Sequence, residues 1–155
     1  MIQEFEILSQ TEKELMLSLP VYVAVLIAGA DGEIDDREVS KAINLANDKL
    51  KNARKELIGF YSEANENFED KFKMAVANLP SSTEERQKEL VKKLKESNEI
   101  FDRLPKKYAI SLYSSLKEIA KKIAEASGGV FGYMAIDFEE SKLIDLKMIK
   151  DPSKR

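Results

Sequence analysis

Apolar residues recur along most of this chain at spacings of three and four, the period of a helix with one face turned inward. Leu15, Leu19, Tyr22, Val23, Leu26 and Ala30 form one such stripe. Pro20 crosses it without the amide that a helix interior needs, so the spacing predicts either a kink there or the first turn of a second helix. From Asp35 onward, Val39, Ala42, Ile43, Ala46 and Leu50 repeat the pattern, and Leu57, Phe60 and Tyr61 predict a short helix ending near Asn65. Asn67 is placed as the N-cap of the next, which carries Phe68, Phe72, Val76 and Leu79 up to Pro80. Ser82-Thr-Glu-Glu85 has the pattern of a capping box ahead of Leu90, Leu94, Ser97, Phe101 and Leu104. Beyond Pro105, Ala109, Leu112, Leu116, Ile119 and Ile123 predict a long helix to about Ala126. Asp137 then opens a last helix with Leu143, Ile144 and Ile149.

The helical period covers even Val21 to Val25, the longest stretch that alternates as a strand would. The fold class is therefore all-α, a single-domain bundle of about seven or eight helices with short connections. A length of 155 residues suits one domain with a real core. That core is expected to run from about residue 12 to residue 149, with 1–11 and 151–155 peripheral.

Aligned with itself, the chain places Ala24 to Gly32 over Ala120 to Gly128, with matching alanines, isoleucine and glycine. After a longer second loop, Ile34-Asp-Asp-Arg-Glu38 falls over Ile136-Asp-Phe-Glu-Glu140. Both halves read helix, glycine, loop, Ile-Asp-x-x-Glu, helix, which predicts a pseudo-twofold repeat. Alanine-rich helices ending in glycine are common, however, and account for part of the match. The inserted loop from Gly128 to Ala135 is expected to fold Phe131, Tyr133 and Met134 back over the core.

Composition narrows the chemistry. There is no cysteine and no histidine, which removes disulfides, thiol nucleophiles, imidazole pairs and the usual zinc and iron-sulfur sites. Any metal has to be a hard cation held by oxygen: calcium, magnesium or manganese. The formal net charge is -3, and every run of lysine or arginine is interleaved with acids, so no nucleic-acid partner is indicated. The uncharged run from Leu15 to Ala30 is too short to span a bilayer and follows an acidic segment, against both membrane insertion and a signal peptide. A cytoplasmic location is expected.

Five carboxylates, Asp31, Glu33, Asp35, Asp36 and Glu38, crowd the stretch after that run. Asp31-Gly-Glu-Ile-Asp35 with Glu38 has the spacing of the second half of an EF-hand calcium loop. The first half is missing, because Ile27 and Gly29 stand where further acids would be needed. Too few ligands remain for calcium, and Asp137, Glu139, Glu140 or water would have to supply the rest. A helix start explains Asp35 as N-cap, with Asp36 and Glu38 in the first turn favouring the positive end of the helix dipole. It leaves Asp31 and Glu33 unexplained, since like charges ahead of the helix add repulsion.

At these residues, Val25-Leu-Ile-Ala-Gly-Ala-Asp-Gly-Glu-Ile-Asp-Asp-Arg-Glu38, the chain resembles the TerB-like family, named for a tellurite-resistance protein. Ile123 to Tyr133 with Ile136 to Lys142 is similar to that family's second, glycine-rich and glutamate-bearing motif. The resemblance implies an all-helical pseudo-twofold fold and an acidic metal-binding surface where the two motifs meet. By position it implies Asp31, Asp35, Glu38 and Glu140 as metal ligands, with Glu33 and Asp36 beside them. Ser127 stands where the first copy has Asp31, which argues against a symmetric two-metal site.

The resemblance thus sets the expectation of a non-enzymatic, bacterial-type stress-response binding or sensing module, connected with tellurite resistance. It would use a divalent cation and act on an unidentified protein partner. The alternative is a metal-free helical interaction scaffold, in which the carboxylates only cap helices. No substrate-shaped motif or phosphate-cradling glycine loop supports catalysis.

Overall fold

In the computed structural model, which describes residues 2–29, 36–51, 53–126 and 145–154, the uncharged run becomes the middle of the fold. Helix α1 (Gln10–Ala28) packs against the helices α2 (Asp36–Lys51), α3 (Ile58–Ala64), α4 (Phe68–Asn78), α5 (Thr83–Glu96) and α7 (Lys106–Ala126). A short helix, α6 (Asn98–Arg103), follows α5, and 3-10 turns lie at Gln3–Phe5, Lys55–Leu57 and Pro152–Lys154. The described residues contain no strand.

The stripe expected on α1 is too narrow a description. Val21 and the six residues from Val23 to Ala28 are all buried, so the second half of α1 is enclosed on every side. A helix apolar all round belongs at the centre of a fold rather than at its surface. The absence of charge from Leu15 to Ala30 fits that position, and among the described residues no helix is long and apolar enough to cross a membrane. Pro20 lies inside α1 and does not end it. Proline has no N–H to offer the carbonyl of Met16, so the chain accepts one missing helical bond within its core.

Helix α1 begins at a capping box that the apolar pattern does not reveal. Ser9 Oγ accepts from the Glu12 N–H at 3.1 Å, and the Ser9 N–H donates to Glu12 Oε1 at 2.9 Å. Its signal is Ser9-Gln-Thr-Glu12 itself, the same pattern recognised at Ser82. At Ser82 the hydroxyl accepts from the Glu85 N–H at 3.5 Å, the serine half of the box expected there. Asn67 precedes α4 as expected, but for a different reason. It sits in the left-handed region at φ 57°, which asparagine tolerates better than most residues, and its side chain makes no cap bond.

Only one residue, Ser97, separates α5 from α6. Ser97 between them keeps helical dihedrals and is fully buried, its hydroxyl donating to the Leu94 carbonyl at 2.6 Å. Six helical rods therefore stand among the described residues, against the seven or eight expected. The helix expected from Asp137 falls, as far as residue 144, outside the described residues. Leu146 and Ile149 do bury, but in a turn rather than in a helix.

The ends of the chain correct another expectation. Ile2, Phe5 and Leu8 belong to the core, and Phe5 meets the rings of Phe60 and Tyr108 edge-on, each at 6.0 Å. Residues 2–8 are thus not peripheral, and Pro152 is buried as well. Three apolar residues in a short acidic stretch show too little period to be recognised as core, although burying each contributes about 1.5–3 kcal/mol.

Candidate functional site

Helix α1 ends at Gly29, whose N–H reaches the Val25 carbonyl at 3.0 Å, and α2 begins at Asp36. Of the predicted ligands, Asp31, Asp35 and Glu140 lie outside the described residues, as do Glu33, the repeat's second acidic motif and the Gly128 to Ala135 loop. Asp36 and Glu38 are described through their backbone, as the first and third residues of α2. Asp35, expected as the N-cap, precedes that helix in the sequence and lies outside the described residues. Two helices that pack together, α1 and α2, thus flank the connection carrying Asp31, Glu33 and Asp35. Among the described residues, no three carboxylates are gathered so as to share an ion.

The most informative side chain at this end of α1 is one outside the apolar pattern. Arg86 of α5 is only 7% exposed, and its Nη2 donates to the Gly29 carbonyl at 3.0 Å. That carbonyl belongs to the negative end of the α1 dipole, where a cation is favoured. A charged donor to a buried backbone oxygen is also among the stronger hydrogen bonds a protein makes. The acidic connection starts directly after this point, so a permanent positive charge is built in at its root.

The register of α5 explains why Arg86 points inward. Leu90 and Leu94 are fully buried, and a step of four residues back from Leu90 lands on Arg86. The arginine therefore occupies the core face of its helix. Continuing the apolar stripe backward past Leu90 finds it, as a cation placed where the period demands an apolar residue.

Elsewhere the polar groups mainly fasten elements together. The Tyr61 hydroxyl pairs with Ser115 in the core, and Ser111 Oγ donates to Glu56 Oε1 at 2.7 Å, tying α7 to the turn before α3. The Ser111 hydroxyl is the main reason that the Glu56 carboxyl lies below its ordinary pKa. Arg103 pairs with Glu12, and that bond, with the Ser9 amide, lowers the Glu12 pKa. Burial pushes the Tyr61 and Tyr108 phenols well above their ordinary value. The Tyr108 hydroxyl is buried and has no hydrogen-bond partner among the described residues.

Compared with known proteins, the chain matches no family model, no curated protein and no solved structure.

Proposed function

We propose that the chain is a non-enzymatic binding or sensing module of the TerB-like kind, whose acidic connection takes a divalent cation. Asp31, Asp35 and Glu38 supply ligands, Glu140 arrives from a second, pseudo-twofold-related motif, and Glu33 and Asp36 add negative field. The observation that carries the reading is the placement of this acid-rich connection between two packed helices, α1 and α2. The donor set also fits a hard cation, because every candidate ligand is a carboxylate. In this reading the module acts in the cytoplasm in a stress response of the tellurite-resistance type, presenting the cation-loaded face to a protein partner.

One observation favours the metal-free alternative, a helical scaffold. Arg86 already places a positive charge at the root of the acidic connection, and so relieves part of the repulsion that a cation would otherwise have to relieve. Thermal denaturation with calcium, magnesium or manganese, in the wild type and in Asp31→Asn/Glu38→Gln, separates the two. A cation at about 100 times its Kd stabilises the folded state by about 2.7 kcal/mol. For a domain of this size that raises Tm by about 5–11 °C. The cation reading predicts such a rise in the wild type and its loss in the double variant. Equal responses in both proteins support the scaffold, for which Asp31→Asn/Glu33→Gln should leave stability unchanged or higher.

A further inference from the structure

The described surface holds a concave region lined by no residue of α1, α2 or the acidic connection. It is a cleft of about 760 Å³ between α6, α7 and the chain's last residues, within the size range of small-molecule sites. Its outer wall is built rather than draped. The Asn98 side chain donates to the Met148 carbonyl at 3.0 Å and accepts from the Lys150 N–H at 2.8 Å, holding that segment from both sides. Leu146 and Ile149 are buried beneath it, at 0% and 1% exposed. Leu146 even adopts φ 51°, a left-handed conformation costly for a leucine, so its burial outweighs a strain of about 1–2 kcal/mol. Further along, Asp151 accepts from both the N–H and the hydroxyl of Ser153, at 2.9 and 2.7 Å, and fixes the terminal turn.

Four lysines line this cleft: Lys117, Lys147, Lys150 and Lys154. Two acids, Asp102 and Asp151, oppose them, so the cleft is locally positive on a chain of net charge -3. Three lysines, Lys73, Lys88 and Lys93, form ion pairs with glutamates four residues earlier on their own helices. None of the four cleft lysines forms an ion pair within 4.0 Å of a described acid, although after its bonds from Ser153 the Asp151 carboxyl is also held below its ordinary pKa by the charges of Lys154 and Lys117. Lys117 instead stands over the Tyr113 ring at 5.4 Å from its centroid. Phe101, Tyr113 and Ile149 also line the cleft, each no more than 7% exposed.

From this juxtaposition we infer that the cleft between α6, α7 and the C-terminal segment binds a small phosphate ester. A dianion gains about twice what a single carboxylate gains from this net-positive lining, because its attraction to four lysines and its repulsion from two aspartates both scale with its charge. Lysine is a point-charge phosphate binder that imposes little geometry, which suits four flexible side chains around an open site. The volume exceeds what inorganic phosphate fills, which leaves room for an ester's organic part beside Tyr113 and Phe101. The cation proposed for the acidic connection plays no role here, so neither inference depends on the other.

Phenyl phosphate, followed by amide chemical shifts of the isotope-labelled full chain, is the direct probe. The expected result is saturable shifts confined to residues 98–102, 113–117 and 147–154, half complete at about 1 mM or below. Binding should weaken when ionic strength rises from about 0.01 to 0.15 M, which shortens the Debye length from about 30 to 8 Å. Lys117→Gln/Lys150→Gln should reduce affinity at least about tenfold, whereas Lys88→Gln/Lys92→Gln on α5 should leave it unchanged. Both double variants alter exposed or half-buried side chains, and an unchanged melting curve confirms that they fold. Inorganic phosphate should bind the same residues more weakly, and benzyl alcohol not at all. Shifts scattered over all lysine-bearing surfaces, equal losses in the two double variants, or no saturation would overturn the assignment.

Discussion

Replacing Arg86 by methionine tests whether the buried guanidinium is what ends α1 and anchors the acidic connection. Methionine keeps the length and the apolar stem of the side chain, so the substitution isolates the charged head. The Gly29 carbonyl then loses a charge-assisted hydrogen bond worth about 1.5–3 kcal/mol in a buried setting. Little compensation is available nearby, because Gly29 is itself buried and water cannot readily replace the donor. With about 2–4 °C of Tm per kcal/mol for a domain of this size, the variant should melt about 3–12 °C lower. Urea denaturation followed by circular dichroism, with a chelator present to exclude any cation effect, gives the free energy directly. The m-value should not change, since the surface exposed on unfolding is the same. Hydrogen exchange adds a local readout: the Gly29 amide, bonded to the Val25 carbonyl, should lose protection more than amides in the middle of α7. Arg86→Lys should fall between the two, keeping the charge but not the planar fork. A methionine variant as stable as the wild type, or more stable, would refute the reasoning. It would mean that burying the guanidinium costs as much as its bonds return.

The two buried tyrosines should respond oppositely to loss of the hydroxyl. Tyr61→Phe leaves Ser115 without its partner and should cost about 1–2 kcal/mol, whereas Tyr108→Phe removes an unpartnered buried hydroxyl and should be neutral or stabilising in the same urea titration. Both phenols have folded pKa values above the ordinary 10.0, so the unfolded chain releases these protons first. Their contribution is intact below pH 10.0 and falls as pH rises beyond it, less steeply in Tyr108→Phe. At the acid end the sign reverses. Glu12 is depressed below its ordinary 4.5 by Arg103 and Ser9, so its contribution is present above that pH and is lost as pH falls through the lower folded value. Acid titration of Glu12→Gln should therefore show a shallower loss than the wild type. At Leu146, alanine normally outlasts glycine, yet the φ of 51° predicts that Leu146→Gly melts higher than Leu146→Ala, with both below the wild type. The usual order would show that this conformation is not held in solution.

Helical period makes α3, α4, α5 and α7 legible, because each presents one apolar face to the core and the rest to water. The period is less informative for α1, whose second half is buried all round and so has no polar face to set a phase. Arg86 escapes the pattern for a related reason: a charge at a core position interrupts the apolar stripe, which then seems to begin one turn later, at Leu90. The N-terminal segment reads as peripheral because Ile2, Phe5 and Leu8 alternate with exposed residues over too short a stretch to show a helical face. Asn67 stands where the pattern puts it, before α4, but its backbone tolerance matters there and side-chain capping does not. For the candidate site, the acids are plain in the sequence, but the meeting proposed for residues 31 and 140 would be a long-range event that no local period encodes.

That convergence is where the central claim is most exposed. A crystal structure grown with calcium would measure it directly. An ion is expected within about 2.3–2.6 Å of carboxylate oxygens from both Asp31 and Glu140. Finding these two carboxylates apart, with no ion between them and Arg86 alone at the root of the acidic connection, would contradict it.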